Sequence, residues 1–273
     1  MNKIKNITVI GTGVIGTGWI LRFLAFNKNV TVYDPSIKQK DYLKKELKRT
    51  KSSIEKLYDN KINIKNLIFS SNIEDAVSNS DLIQENVPER LGLKKKVINQ
   101  LSQFAPKNCI IASSSSGLLP SELQSNCINP KRFIIAHPFN PVYILPLVEI
   151  VKGNKTSKII INEADKFYKS LDMKTLIINK ELPGFLSDRL QEALWREALH
   201  IVNEGYASTK DLDRAIEDGP GMRWSLMGTF LTFHLAGGNA GMKHMLEQFG
   251  PALKLPWTKL KAPKLSKKLS NRV

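Results

Sequence analysis

The segment Gly11-Thr12-Gly13-Val14-Ile15-Gly16 limits what this chain can fold into more than any other. It follows the apolar run Ile7-Thr8-Val9-Ile10 and opens a helical pattern over 14–27. A second strand pattern, Val30-Thr31-Val32-Tyr33, then ends at Asp34. G-x-G-x-x-G alone is a weak signal. Set between a strand and a helix, with an acid closing the next strand, it reads as a dinucleotide-binding turn. Gly11 permits the tight turn, Gly13 lets a pyrophosphate approach the backbone, and Gly16 lets the helix pack close to the strand. Thr12, Val14 and Ile15 carry the backbone amides between them, at a helix end whose dipole favours phosphate. Asp34 stands where a carboxylate takes ribose hydroxyls and repels a 2′-phosphate, so NAD is expected rather than NADP.

The alternation continues. A long amphipathic helix is expected over 36–58, with Leu43, Leu47, Ile54 and Leu57 at helical spacing. Strand patterns follow at 67–70, 82–84, 109–112, 133–136 and 147–151, some separated by helical segments around Asp75 and over 91–104 and 118–124. One more helix, 156–171, and a strand, 175–178, precede Pro183-Gly184. Strands alternating with helices predict an α/β fold with a parallel, doubly wound, Rossmann-type sheet. Beyond Pro183-Gly184 the pattern is helical. Leu186, Leu190, Ala193, Leu194, Ala198 and Ile201 form one broad face of a helix over 186–204. Ser208-Thr209, with Asp211 and Asp213 behind, starts the next helix. Two domains are expected: a dinucleotide-binding domain over 1–182 and a smaller all-helical C-terminal domain over 183–273.

The net charge of +16 and pI near 9.7 raise nucleic acid or an anionic surface as partners. The distribution of lysine argues against both. Over 38–56 and 94–96 the lysines lie near acids, as on a solvated helix face, and the densest excess is the tail over 259–272. No nucleic-acid partner is expected. The longest uncharged apolar run, 133–148, holds His137, Asn140 and three prolines, so no membrane-spanning helix and no membrane partner are expected. The N-terminal residues lack a signal-peptide pattern. Cys109 and Cys127 are too few for a disulfide framework and suit a reducing compartment, so a cytoplasmic location is expected, and no metal site.

His137 lies in Ala136-His137-Pro138-Phe139-Asn140-Pro141, at the expected end of a strand, where doubly wound sheets place their ligands. Glu149 lies inside Leu147-Val148-Glu149-Ile150-Val151. A carboxyl group within an apolar strand is costly without a partner, and His137 is the expected one. Hydride removal from an alcohol needs a base for the hydroxyl proton, and an imidazole exchanges protons near neutral pH. Glu149 would hold the proton on the other ring nitrogen. Ser113-Ser114-Ser115-Ser116-Gly117 ends another strand. Its hydroxyls could meet a substrate alcohol or a nicotinamide ribose, or cap the next helix.

With these residues in place, the chain resembles the NAD-dependent L-3-hydroxyacyl-CoA dehydrogenase superfamily over nearly its whole length. The segments that carry the resemblance are GTGVIGTGW, QENVPERLGLKKKV, IIASSSSGLLPSEL, FIIAHPFNPVYILPLVEIV, PGFLSDRLQEALWREALHIV, GMRWSLMG and QFGPALKLPWTKL. It implies His137 as catalytic base, Glu149 as its partner and Ser116 as the serine on the substrate hydroxyl. It also implies Asn140 near the nicotinamide end, Glu89 and Lys94 beside the cofactor ribose, and a helical C-terminal domain that mediates a homodimer. Family members commonly run a few dozen residues further, so a shortened C-terminal domain is expected.

One position departs from the acyl-CoA members, which carry Asn before the arginine that follows Pro-Gly-Phe. Here Asp188 precedes Arg189. An acid there suits a cationic substrate. The resemblance implies a small-molecule substrate, L-carnitine or a related 3-hydroxy compound, oxidised at C3 to 3-dehydrocarnitine. Its trimethylammonium group calls for aromatic faces and negative charge. Phe139, Gly184, Phe185, Asp188, Trp195, Trp224 and Phe249 are the candidates, and Arg189, Arg196 or Arg223 could take the carboxylate. Two alternatives remain: a 3-hydroxyacyl-CoA dehydrogenase, which the basic surface suits, and a non-catalytic NAD-binding protein of the crystallin kind.

Overall fold

The apolar runs of the first half become strands buried on both faces, which is why they read as continuous rather than alternating. The computed structural model describes residues 4–254, 258–259 and 261–272; residues 1–3 at the N-terminus and Trp257 in the last motif lie outside the described residues. In chain order the first part runs β1 (Asn6–Ile10), α1 (Val14–Ala25), β2 (Asn29–Tyr33), α2 (Ile37–Leu57), β3 (Leu67–Phe69), α3 (Ile73–Val77), β4 (Leu82–Glu85) and α4 (Leu91–Phe104). It continues with β5 (Ile110–Ser113), α5 (Pro120–Gln124), β6 (Phe133–Pro138), β7 (Leu147–Lys152), α6 (Lys158–Lys169) and β8 (Lys174–Ile178). The strands form one sheet in the order β3-β2-β1-β4-β5-β6-β7-β8.

The pleat sends successive residues of each strand to opposite faces. Val9, Ile134, Ala136, Val148 and Ile150 join Trp19, Phe23, Leu43, Leu47 and Phe167 in one core beneath α1, α2 and α6. Ile83, Ile111, Phe133, Ile135 and Val151 join Val77, Ile98, Leu101 and Leu123 in the other, beneath α3, α4 and α5. Helix α2 departs from its expected stripe at the last turn. Leu43, Leu47 and Ile54 are buried, but Leu57 is exposed. Tyr58 takes the inward position instead, its ring 5.0 Å from that of Phe26.

The sheet is not wholly parallel. β7 runs antiparallel to β6, and β8 is parallel to β7. Residues 139–146 join β6 to β7, and so short a connection cannot make the crossover a parallel return needs.

Packing divides the chain at Met1–Leu186 and Ser187–Val273. Residues 183–186 go with the first unit because Phe185 is fully buried in its second core. The second unit is helical: α7 (Ser187–Glu204), α8 (Thr209–Glu217), α9 (Pro220–Trp224), α10 (Thr229–Ala236), α11 (Gly241–Phe249) and α12 (Lys267–Ser270). The buried face of α7 differs from the expected one. Leu190 and Leu194 are exposed, while Leu199 and Val202 pack against Leu269 of α12. Arg272 donates to the carbonyls of Val202 and Asn203 and ties the returning chain to that other face.

Cys109 and Cys127 are buried free thiols, and burial pushes both thiols up in pKa. The thiolate is the reactive form. The native protein at pH 8 is therefore expected to resist a chromogenic disulfide reagent, with both thiols reacting once urea unfolds it. Rapid, stoichiometric labelling of the native chain would contradict this packing.

Candidate active site

Strands β1, β2, β4, β5 and β6 are parallel, so the turns that follow them share one edge of the sheet. On that edge lie the glycine turn, Asp34, Asn86, the serine turn and His137. Gly11 has φ +86°, the left-handed region that glycine tolerates. A Cβ on Gly16 would fall 1.9 Å from the Gly11 carbonyl oxygen, so this helix start closes only with glycine. A Cβ on Gly13 would instead enter open space, meeting nothing within 4 Å beyond its own chain neighbours. Helix α1 begins with no side-chain cap and no acid in its first turn, which leaves its positive end to an anion.

Asp34 is buried. Its Oδ2 accepts from the Thr12 amide at 2.7 Å and the Thr12 hydroxyl at 3.0 Å, and its Oδ1 accepts from the Ser36 amide at 2.8 Å. The carboxylate thus anchors the glycine turn to the end of β2. The open space over Gly13, the uncapped helix and this anchored acid together fit a pyrophosphate and an adenosine ribose. Asp34→Ala is expected to raise the NAD dissociation constant about tenfold, the scale of one hydrogen bond to a charged group. A fluorescence titration checks it, and an unchanged constant would leave Asp34 only its bonds to Thr12 and Ser36.

The antiparallel register sets His137 opposite Glu149. His137 Nδ1 lies 2.9 Å from Glu149 Oε2, and both side chains are buried. Glu149 Oε1 accepts from the Leu186 amide at 3.2 Å, so the segment after β8 helps hold the carboxyl group. Phe139 lies edge-on to the imidazole at 4.9 Å between centroids, and Phe185 stands at 5.6 Å. A one-residue slip would turn Glu149 to the other face of the sheet. With Nδ1 toward Glu149, the imidazole is set to work through Nε2.

A second polar cluster lies beneath the serine turn. Glu85 is fully buried and accepts from Lys94 Nζ at 2.9 Å, the Val87 amide at 2.6 Å and the Ser113 hydroxyl at 2.5 Å. Lys94, itself buried, also lies 3.5 Å from Glu89. Glu89 accepts from the Ser115 hydroxyl and from the amides of Ser116 and Gly117 at 3.2 and 3.3 Å. Burial acts to raise the Glu89 pKa, but the Ser115 hydroxyl, the Lys94 charge and the Gly117 amide outweigh it and hold the carboxyl below its ordinary range. A depressed carboxyl stabilises the fold above the ordinary carboxylate pKa, and that contribution fades as pH falls through the lowered one.

The structure therefore gathers Gly11 to Gly16, Asp34, Glu89, Lys94, Ser116, His137, Phe139, Asn140 and Glu149 in the first unit. Ser116 and Asn140 are exposed on the ligand edge. Phe185 differs from expectation: fully buried against the imidazole, it walls the ring rather than offering a face to a trimethylammonium group. Gly184 precedes it with φ +73°, as the turn there demands. Asp188, Trp195 and Phe249 belong to the second unit, Trp195 and Phe249 being half-exposed.

Gln84, Asn86 and Trp19 join Ser114 of the serine turn in a network that sequence reasoning does not single out. The Ser114 hydroxyl accepts from Gln84 Nε2 at 2.8 Å and Trp19 Nε1 at 3.0 Å and donates to Asn86 Oδ1 at 2.7 Å, linking the β4 and β5 turns. The pair Gln84-Glu85 at the end of an apolar strand carried the same signal that singled out Glu149. Among the described residues no His, Cys, Asp and Glu cluster is placed to hold a metal ion, and no helix is long and apolar enough to cross a membrane.

Residues 6–182 match the 3-hydroxyacyl-CoA dehydrogenase NAD binding domain, and residues 184–273 match the 3-hydroxyacyl-CoA dehydrogenase C-terminal domain. The chain belongs to the 3-hydroxyacyl-CoA dehydrogenase family, and its cofactor is NAD. It is 54% identical to the L-carnitine dehydrogenase of Oceanobacillus iheyensis over 98% of this chain and 88% of that protein. It is 52% identical to the L-carnitine dehydrogenase of Bacillus cereus over 100% of this chain and 84% of that one. The solved structure of 5-formyl-3-hydroxy-2-methylpyridine 4-carboxylic acid 5-dehydrogenase, an NAD+-dependent dismutase, is similar with TM-score 0.84 at 26% identity, covering 95% of this chain and 83% of that one.

Proposed function

We propose that this chain oxidises L-carnitine at C3 to 3-dehydrocarnitine. The observation that carries the reading is the His137–Glu149 pair at 2.9 Å on the ligand edge of a chain about half identical, nearly end to end, to L-carnitine dehydrogenases. NAD, when bound, supplies the acceptor for the hydride that leaves C3. Ser116 holds the substrate hydroxyl. His137 takes the hydroxyl proton on Nε2 as the C3–H bond breaks, and Glu149 stabilises the imidazolium that forms. Phe139 and Phe185 hold the ring plane and keep water from its sides. Glu89, fixed by Lys94 and the serine turn, borders the cofactor ribose. The acid at position 188, before Arg189, is the sequence feature that favours a cationic substrate.

A homodimer in the cytoplasm belongs to the same reading. Leu190, Phe230, Leu235 and Phe249, exposed on the helical unit, support a second copy as their cover. The buried free thiols suit a reducing compartment.

The test is NADH formation with L-carnitine, D-carnitine and (S)-3-hydroxybutyryl-CoA in parallel. Turnover is expected with L-carnitine. Turnover confined to the CoA ester would overturn the substrate, and NAD binding with no turnover of any of the three would overturn the enzyme reading.

A further inference from the structure

Arg22 on α1 is fully buried, and its guanidinium meets backbone carbonyls in place of an acid's oxygens: Nε donates to Val142 at 3.0 Å, Nη2 to Leu145 at 3.1 Å and Nη1 to Leu171 at 3.0 Å. An arginine is always charged, and a charge taken out of water is costly unless every donor is placed. Two of these carbonyls lie in the 139–146 connection, which joins the His137 strand to the Glu149 strand and carries Phe139 and Asn140.

That connection is held largely by side chains. Pro141 O accepts from the amides of Ile144 and Leu145, both at 2.9 Å. Val142 O and Leu145 O accept from Arg22, and Tyr143 O accepts from the Tyr58 hydroxyl at 2.9 Å. The Tyr58 ring in turn stands 5.1 Å from the Arg22 guanidinium carbon. One turn earlier on α1, Gly18 admits Val142 so closely that a Cβ there would sit 2.9 Å from the Val142 Cβ. Both Gly18 and Arg22 belong to the helix whose first turn carries the glycine motif.

We infer that Arg22 is a positioning residue: by clamping the 139–146 connection to α1, it sets the distance between the cofactor's helix and the His137–Glu149 pair. This rests on the proposal that His137 is the base in an NAD-linked oxidation. A displacement of an ångström between hydride donor and acceptor is enough to cost about 100-fold in rate. The clamp touches neither the glycine turn nor Asp34, so its loss should appear chiefly in turnover and change NAD affinity little.

The experiment uses the full chain with Arg22→Met, Arg22→Lys and Gly18→Ala, each checked for fold by circular dichroism. Gly18→Ala perturbs the same contact with the buried charge intact, so it answers even where Arg22→Met fails to fold. The expected result is a kcat for L-carnitine lowered about 10- to 100-fold, partly recovered in Arg22→Lys relative to Arg22→Met. The NAD dissociation constant should stay within about twofold, and the isotope effect of C3-deuterated carnitine should rise as hydride transfer becomes limiting. Folded Arg22→Lys and Gly18→Ala variants with wild-type kcat and only a lowered Tm would overturn the inference and leave the function standing. A wild-type protein that oxidises none of the three substrates would overturn the function itself, and the inference with it.

Discussion

His137→Gln is expected to lower kcat for L-carnitine about 10³-fold, within the range that a positioned general base contributes. Glutamine keeps an N–H that can meet Glu149 Oε2, so the buried carboxyl group retains a donor and the sheet its register. It offers no basic nitrogen to the hydroxyl. The loss of about 4 kcal/mol should fall on the chemical step. NAD affinity should hold within about twofold, because the glycine turn and Asp34 belong to other strands. Steady-state rates with a fluorescence titration of NAD separate the two quantities. Near-normal kcat in this variant would remove His137 as the base. Glu149→Gln asks a second question, since a neutral amide cannot stabilise the imidazolium or dictate its tautomer. Its kcat should fall between those of wild type and His137→Gln.

Lys94→Met is expected to destabilise the fold by about 3–5 kcal/mol, the cost of leaving a buried charge without its partner. Glu85 is fully buried, and Lys94 is its cation at 2.9 Å. Methionine matches the length of the lysine stem but brings no charge. For a chain of this size the melting temperature should drop by about 10 °C. The double variant Glu85→Gln/Lys94→Met should lose less than Lys94→Met alone, because it removes the orphaned charge as well. Lys94→Met should also raise the Glu89 carboxyl toward its ordinary range, making the protein lose stability at a higher pH during acidification. Calorimetry at several pH values checks all three results. A loss below about 1 kcal/mol would mean that the Val87 amide and the Ser113 hydroxyl suffice to hold Glu85.

Local features are legible in the sequence alone. The glycine turn, the acid closing β2 and the α4 boundaries depend on residues within a few positions of one another. The His137–Glu149 pair is legible for a different reason: each residue sits in an apolar strand where a polar group requires a partner. The antiparallel turn of β7 is not legible there, because the periodicity of a strand is the same in either direction. The buried face of α7 is not legible either, because helical spacing shows that an apolar stripe exists, while the partner that covers it comes from elsewhere in the chain.

The sequence by itself determined the dinucleotide turn, the layered alternation of strands and helices, and which polar residues could not stand alone in apolar strands. Only the tertiary structure decided that Arg22 would close on the carbonyls of Val142, Leu145 and Leu171, and that Lys94 would bridge Glu85 and Glu89 beneath the serine turn. The physical reason is that conformational preference is written in neighbouring residues, whereas a buried charge or a loop carbonyl is satisfied by whatever group the fold brings to it from far along the chain.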